Sequence, residues 1–306
     1  MKTIVHLSDL HFGRIDPALP EALSREVKAA APDLVVVSGD LTQRARPEEF
    51  RLAREFLATL PTPQVVVPGN HDIPLYNLPM RAFWPLARYK RHISRDVEPF
   101  FADGEIAVAG LNTARSLTIK NGRVNRRQVS SLCAGLRSQP EEVVRIVVTH
   151  HPFETSDAGE EDIVGRAAMA MASFSKCRID LILSGHLHVN RVVSSAARYR
   201  IGDYSALLLQ AGTAISSRRR EEPNSFNILR VNGRRIGCEC WTWDSDKAAF
   251  GLLSLQRFVA AGRGWVTDVG EALPQIAQRP SGEVAVEPIA ATGTEAVAVS
   301  PLPPQG

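Results

Sequence analysis

Six of the eight histidines stand beside aspartate, asparagine or each other: His11 in Asp9-Leu10-His11, His71 in Gly69-Asn70-His71-Asp72, His150-His151-Pro152, and His186 and His188 in Gly185-His186-Leu187-His188. Asp40 follows Gly39 in a further short block, Ser38-Gly39-Asp40. Imidazole nitrogens with carboxylate and amide oxygens, and no thiolate, form a donor set for divalent ions such as Mn, Fe, Zn or Co. Six or more donors are too many for one ion that keeps an open coordination position, so the set implies two divalent ions. A lone DLH or GD is more often a turn than a ligand. The blocks gain meaning only if the fold brings them together.

The elements that must do so are legible as apolar runs. Residues 3–7, 34–38, 64–67, 106–109, 145–149 and 181–184 are rich in Val, Ile and Leu without polar alternation, the pattern of strands buried on both faces. Residues 19–31 and 48–60 carry apolar residues at helical spacing, the second after Pro47, and 160–175 reads as another helix. Strand alternating with helix indicates an α/β layered architecture. Five of the six strands run directly into one of the blocks above, and in open α/β sheets ligands gather beyond the carboxyl ends of the strands. Residues 74–101, rich in arginine and aromatics, interrupt the rhythm as an insertion expected to be helical. After His188 come strands at 189–194, 206–211, 225–231 and 235–242, the last two joined by the hairpin signal Asn232-Gly233. They are expected to form a second sheet covering the first within one domain of residues 1–266. Residues 267–306, with six prolines and no long apolar period, read as a flexible tail.

The five blocks DLH, GD, GNHD, HHP and GHLH, in this order from Asp9 to His188, resemble the calcineurin-like metallophosphoesterase superfamily over roughly residues 1–243. The resemblance implies a two-sheet sandwich with helices on its outer faces (αββα). It implies that Asp9, His11 and His188 hold one metal, that Asn70, His150 and His186 hold the other, and that Asp40 bridges them. The histidine two residues before proline is the family's ligand, which selects His150 over His151; His151 is left to pack or hydrogen-bond beside the site. His71 is not a ligand, and with it the catalytic assignments are His71, stabilising the transition state or protonating the leaving oxygen, and Asp72, orienting a neighbour. A hydroxide held between two metals would attack the phosphorus in line. The chain is most similar to the branch acting on cyclic nucleotides and glycerophosphodiesters, so a phosphodiesterase with a small phosphoester substrate is expected. The alternatives are a nucleotide-sugar lipid pyrophosphatase, with residues 74–101 as the acyl or base contact, and a DNA nuclease. A metal-free binding scaffold is disfavoured, because no ligand is missing. Residues 211–220 resemble a GT-x-x-S-x-R stretch of bacterial members and offer Arg218 and Arg220 to a substrate phosphate, unless they form a solvated turn paired with Glu221 and Glu222. Asn112 is a further candidate lining residue.

Composition sets the frame. The chain has 306 residues, 44% apolar and 23% charged, with a net charge of +3, as expected of a globular domain able to bury its own core. Five acids against one arginine in residues 267–306 leave that segment at −4 and the rest at +7, too little charge to favour nucleic acid as partner. The N-terminus lacks a secretory apolar region and no run is long enough to span a membrane, so a cytoplasmic location is expected. The four cysteines show no metal-binding spacing and are expected reduced, buried and structural. The sequence leaves oligomeric state open.

Overall fold

The computed structural model describes residues 1–118, 120–155, 163–218 and 222–268. Strands β1 (Lys2–Leu7), β2 (Leu34–Val37) and β3 (Gln64–Val66) are parallel neighbours, joined by helices α1 (Leu19–Ala29) and α2 (Pro47–Thr59). The insertion supplies two short helices, α3 (Leu78–Phe83) and α4 (Ala87–His92), and ends in strand β4 (Phe100–Ala102). Next come β5 (Ile106–Gly110), α5 (Arg126–Arg137), β6 (Val144–Val148), α6 (Ala167–Cys177) and β7 (Leu181–Ser184). The chain then runs through β8 (Arg191–Ser194), β9 (Leu207–Gln210), β10 (Ser225–Asn232), β11 (Arg235–Asp244), β12 (Ala249–Ala261) and β13 (Gly264–Thr267).

Two mixed sheets result, in the orders β13-β12-β11-β10-β1-β2-β3 and β4-β5-β6-β7-β9-β8. Successive residues of a strand point to opposite faces, and here both faces are apolar. Ile4, Leu34 and Val36 of the first sheet share a buried cluster with Val108, Ile146, Val148 and Leu183 of the second. The intervening residues point outward: Val5, Val35 and Val37 meet Leu23 of α1 and Phe50 of α2, while Val147 and Ile182 meet Leu132 of α5 and Phe174 of α6. Three apolar layers separate four layers of structure, helix, sheet, sheet, helix. This is why the strands read as unbroken hydrophobic runs.

The expectation that the later strands form the second sheet needs correction. Each sheet draws on both halves of the chain: β10 pairs antiparallel with β1, from Lys2↔Val231 to His6↔Asn227, whereas β9 lies parallel to β7. Hydrophobic pattern identifies strands but not the edge each one joins. Helix α5 was not anticipated, although Val129, Leu132, Cys133 and Leu136 recur at i, i+3, i+4 and i+7 behind the capping Asn125. The helix expected at 160–175 begins at Ala167, and residues 160–162 lie outside the described residues. So do residues 269–306 of the expected tail. The expectation of four reduced cysteines fails for one pair: α5 packs on α6, bringing Cys133 and Cys177 to a Cα separation of 5.5 Å, and they form a disulfide. Sequence spacing carries no signal for a contact between helices 44 residues apart. Cys238 and Cys240 are free and buried.

Candidate metal centre

The loops that leave β1, β2, β3, β6 and β7 converge at one end of the sandwich. Gly39 lets the second loop turn at φ +93°, where a Cβ would stand 2.8 Å from His150 Nδ1. Gly69 lets the third loop lie directly against Asp40, whose Oδ1 and backbone nitrogen a Cβ would strike. Asp9, His11, Asp40, His186 and His188 all adopt left-handed backbone angles, with φ between 48° and 74°. Each costs about a kilocalorie or more per mole without glycine's freedom. They are half of the ten non-glycine residues with positive φ among those described.

These turns assemble two sets of donors. In the first, Asp9 Oδ1 lies 3.2 Å from His188 Nε2 and 3.5 Å from His11 Nε2, and the two imidazole nitrogens are 3.3 Å apart. In the second, His150 Nε2 lies 3.1 Å from Asn70 Oδ1 and 3.2 Å from His186 Nδ1. Asp40 Oδ2 stands between them, 3.8 Å from His11 Nε2 and 3.3 Å from His150 Nε2. All seven residues named as ligands therefore meet in one place.

Surrounding groups aim the donors. Ring nitrogen Nδ1 of His150 donates to the Ser38 carbonyl at 2.8 Å, and that of His188 to the Arg218 carbonyl at 3.0 Å, leaving each Nε2 as the lone-pair donor. Asp9 Oδ2 accepts from the Ser8 hydroxyl at 2.6 Å and the His186 amide at 2.9 Å, while Asp40 Oδ1 accepts from the His71 amide at 2.8 Å. Asp9 Oδ1 and His186 Nε2 are buried without a hydrogen-bond partner. Buried polar atoms are normally paired, so the orphaned Asp9 oxygen, beside imidazoles whose ring nitrogens face each other, fits a divalent cation.

The charges agree. Burial would raise both carboxylates, but His188 and His11 hold Asp9, and His150 and His71 hold Asp40, well below the usual range. Both are ionised and available to a cation. Burial would lower His150, yet the neighbouring Asp40 carboxylate outweighs it and pushes the ring up to about 9, so Nε2 offers its lone pair only after an incoming cation displaces a proton. Burial, and next His150 at its side, depress His186 to about 3.

His71 lies just outside this cluster, its ring edge-on to that of His11 at 4.9 Å. Its Nδ1 donates to the Gln43 carbonyl at 2.9 Å, and its Nε2 accepts from Arg218 Nη1 at 3.0 Å. Arg218 thus touches the site twice, through its carbonyl on His188 and its guanidinium on His71. The remaining candidate residues are placed as follows. Asp72 faces no reacting group: its oxygens accept from the Gly69, Leu41 and Thr42 amides and the Thr42 hydroxyl, tying the second loop to the third. Asn112 closes a local turn by accepting from the Ala114 amide. His151 is saturated, with Nδ1 against the Thr113 hydroxyl at 2.7 Å and Nε2 donating to the Lys120 carbonyl at 2.8 Å, which leaves no lone pair for a metal. Arg220 lies outside the described residues, while Glu222, expected to pair with the arginines, accepts from the Asn190 amide. Gln43, Ser38 and Ser8 were not anticipated. The first two act through backbone carbonyls, which residue type does not encode; Ser8 was readable only as the neighbour of Asp9.

The family model of the calcineurin-like phosphoesterases matches residues 2–190. The chain belongs to that family. Among curated relatives, this phosphoesterase is 54% identical over 80 residues to the glycerophosphodiester phosphodiesterase GpdQ of Enterobacter lignolyticus, covering 22% of this chain and 29% of that one. It is 29% identical over 164 residues to the probable glycerophosphodiester phosphodiesterase GpdQ of Arcobacter nitrofigilis, covering 51% and 57%. The alignments therefore span less than two thirds of either relative. Among solved structures, the purple acid phosphatase PPD1 from yellow lupin seeds superposes with a TM-score of 0.64 at 14% identity, covering 84% of this chain and 53% of that one. At that identity the likeness shows the fold. No helix among the described residues is long and apolar enough to cross a membrane.

Proposed function

We propose that this calcineurin-like phosphoesterase is a phosphodiesterase that hydrolyses a cyclic nucleotide or another small phosphodiester with two divalent ions. The observation that carries the reading is the place of Asp40 Oδ2, within 3.8 Å of His11 of one donor set and 3.3 Å of His150 of the other. Asp9, His11 and His188 would hold one ion, Asn70, His150 and His186 the other, and Asp40 both. The absence of thiolate suits Mn, Fe, Zn or Co. Such ions supply Lewis acidity and an ionised water at neutral pH. The GpdQ relatives favour a diester over a monoester substrate.

The chain's own contribution outside the ligands centres on His71 and Arg218. With Nδ1 fixed by the Gln43 carbonyl, His71 exchanges protons only at Nε2. While Nε2 carries a lone pair it holds the Arg218 guanidinium. Once it takes up a proton, the two groups are both donors and cannot bond, so Arg218 is released towards the phosphoryl oxygens and His71 holds a proton for the leaving oxygen. Acid catalysis and phosphate binding are thereby linked at one contact.

Metal analysis combined with hydrolysis of bis(p-nitrophenyl) phosphate and p-nitrophenyl phosphate tests this reading. Two transition ions per chain and faster turnover of the diester are expected; one ion, or a preference for the monoester, refutes the corresponding part. A panel of 3′,5′-cyclic nucleotides and glycerophosphodiesters then identifies the substrate class.

A further inference from the structure

Each donor set contains two imidazoles, and in each set one of them lacks an outer anchor. A metal-binding histidine normally donates its second ring nitrogen to a carbonyl or carboxylate, which fixes the plane of the ring. His150 and His188 do so through the Ser38 and Arg218 carbonyls. Nδ1 of His11 and Nε2 of His186 are instead buried with no hydrogen-bond partner among the described residues. A histidine from outside the sets packs against each of these two unanchored rings. His71 stands edge-on to His11, and His151 lies 4.6 Å from His186 with the planes at 46°. His151 also meets His150 edge-on at 4.9 Å, so it touches both imidazoles of one set.

The two flanking histidines differ in freedom. His71 is held at Nδ1 alone and keeps Nε2 for Arg218 and for protons. His151 is held at both nitrogens: the Thr113 hydroxyl donates to Nδ1 at 2.7 Å, and Nε2 donates to the Lys120 carbonyl at 2.8 Å. The same hydroxyl accepts from the His151 amide at 3.3 Å, which ties ring and backbone to one residue. The ring also fills the space beside Gly122, where a Cβ would stand 2.2 Å from Nδ1. We propose that His151 is a positioning residue whose locked ring takes the place of the missing hydrogen bond and sets the plane of His186. The proposal rests on the assignment of Asn70, His150 and His186 to one ion. It makes affinity for that ion, and not for the other, depend on His151.

Calorimetric titration of the full chain, stripped of metal, with Mn2+ tests the proposal, with far-ultraviolet circular dichroism reporting that each variant is folded. The wild type is expected to take up two ions, and His151→Ala to bind one of them about tenfold or more weakly with the other unchanged. Adding His151→Ala to His186→Asn should cost nothing further, whereas adding it to His188→Asn should weaken both ions. His151→Gln offers an acceptor to Thr113 and a donor to Lys120 but no ring, so it should hold the fold and bind as weakly as His151→Ala. Gly122→Ala, whose methyl group would strike the His151 ring, should weaken the same ion from outside the donor sets. A wild type that binds fewer than two ions refutes the two-ion reading itself. With two ions in the wild type, unchanged affinity in His151→Ala and Gly122→Ala overturns the positioning role alone, as does equal weakening of both ions. Full recovery in His151→Gln overturns it too, because His151 is then only a tether for Thr113 and Lys120.

Discussion

The two sheets contribute different chemistry to the same site. From the ends of β1, β2 and β3 come Asp9, His11, Asp40 and Asn70, three oxygen donors and one imidazole. From β6 and β7 come His150, His186 and His188, imidazoles only. The first sheet therefore supplies the negative charge that would draw cations in, and the second would complete the coordination with imidazole donors. Neither sheet holds a full set alone, so the centre exists only where the sandwich closes. The contacts within it cross that seam: Asp9 accepts from the His186 amide, and His150 donates to the Ser38 carbonyl.

This asymmetry can be broken from either side. Asp40→Asn removes a charge lying between both donor sets and should lower turnover about a thousandfold, with metal content per chain falling more than in His186→Asn; equal losses would make the sheets equivalent. His71→Ala should lower turnover about a hundredfold while metal content is unchanged, and a parallel loss of metal would make His71 a ligand. Asp72→Asn keeps the size of the side chain but turns an NH2 towards amide donors, so unfolding in urea should show a loss of about 2–3 kcal/mol, with turnover per bound metal preserved.

The last effect appears only as pH is lowered and belongs to His6, inside the first sheet. Burial lowers its imidazole to about 3, and its Nε2 meets the Ser38 hydroxyl at 2.9 Å. The unfolded chain binds this proton near pH 6.5 and the folded one does not. The stability associated with neutral His6 is therefore complete above pH 6.5 and is lost as pH falls towards 3, by up to about 1.4 kcal/mol per pH unit. His6→Asn should flatten the acid limb of stability by that slope in urea titrations at successive pH values. An unchanged limb would assign it to other groups.

Much of the candidate centre was legible because its donor side chains stand at strand ends, where residue type, glycine and hydrophobic run coincide. The four-layer architecture was legible for the same reason, as strands without polar alternation need cover on both faces. What escaped was relational. Asp72 looked catalytic because it follows His71, yet adjacent residues face different ways, and its carboxylate turns inward to the amides of another loop. The partners of His71 and His188 are carbonyls of Gln43 and Arg218, identical in kind at every residue. Strand partnership escaped too: both β9 and β10 read as strands, and only the closed sandwich sends β10 to β1 and β9 to β7.

The left-handed backbone at five of the seven candidate ligands bears on the order in which the molecule forms. No local preference sets those angles, since each is disfavoured in an isolated peptide. They are imposed when neighbouring loops lock against one another, which requires both sheets to be in place. The centre should therefore be the last region to order as the chain matures, after the scaffold that surrounds it. A newly made protein would pass through a stage in which it is folded but not yet competent to take up metal.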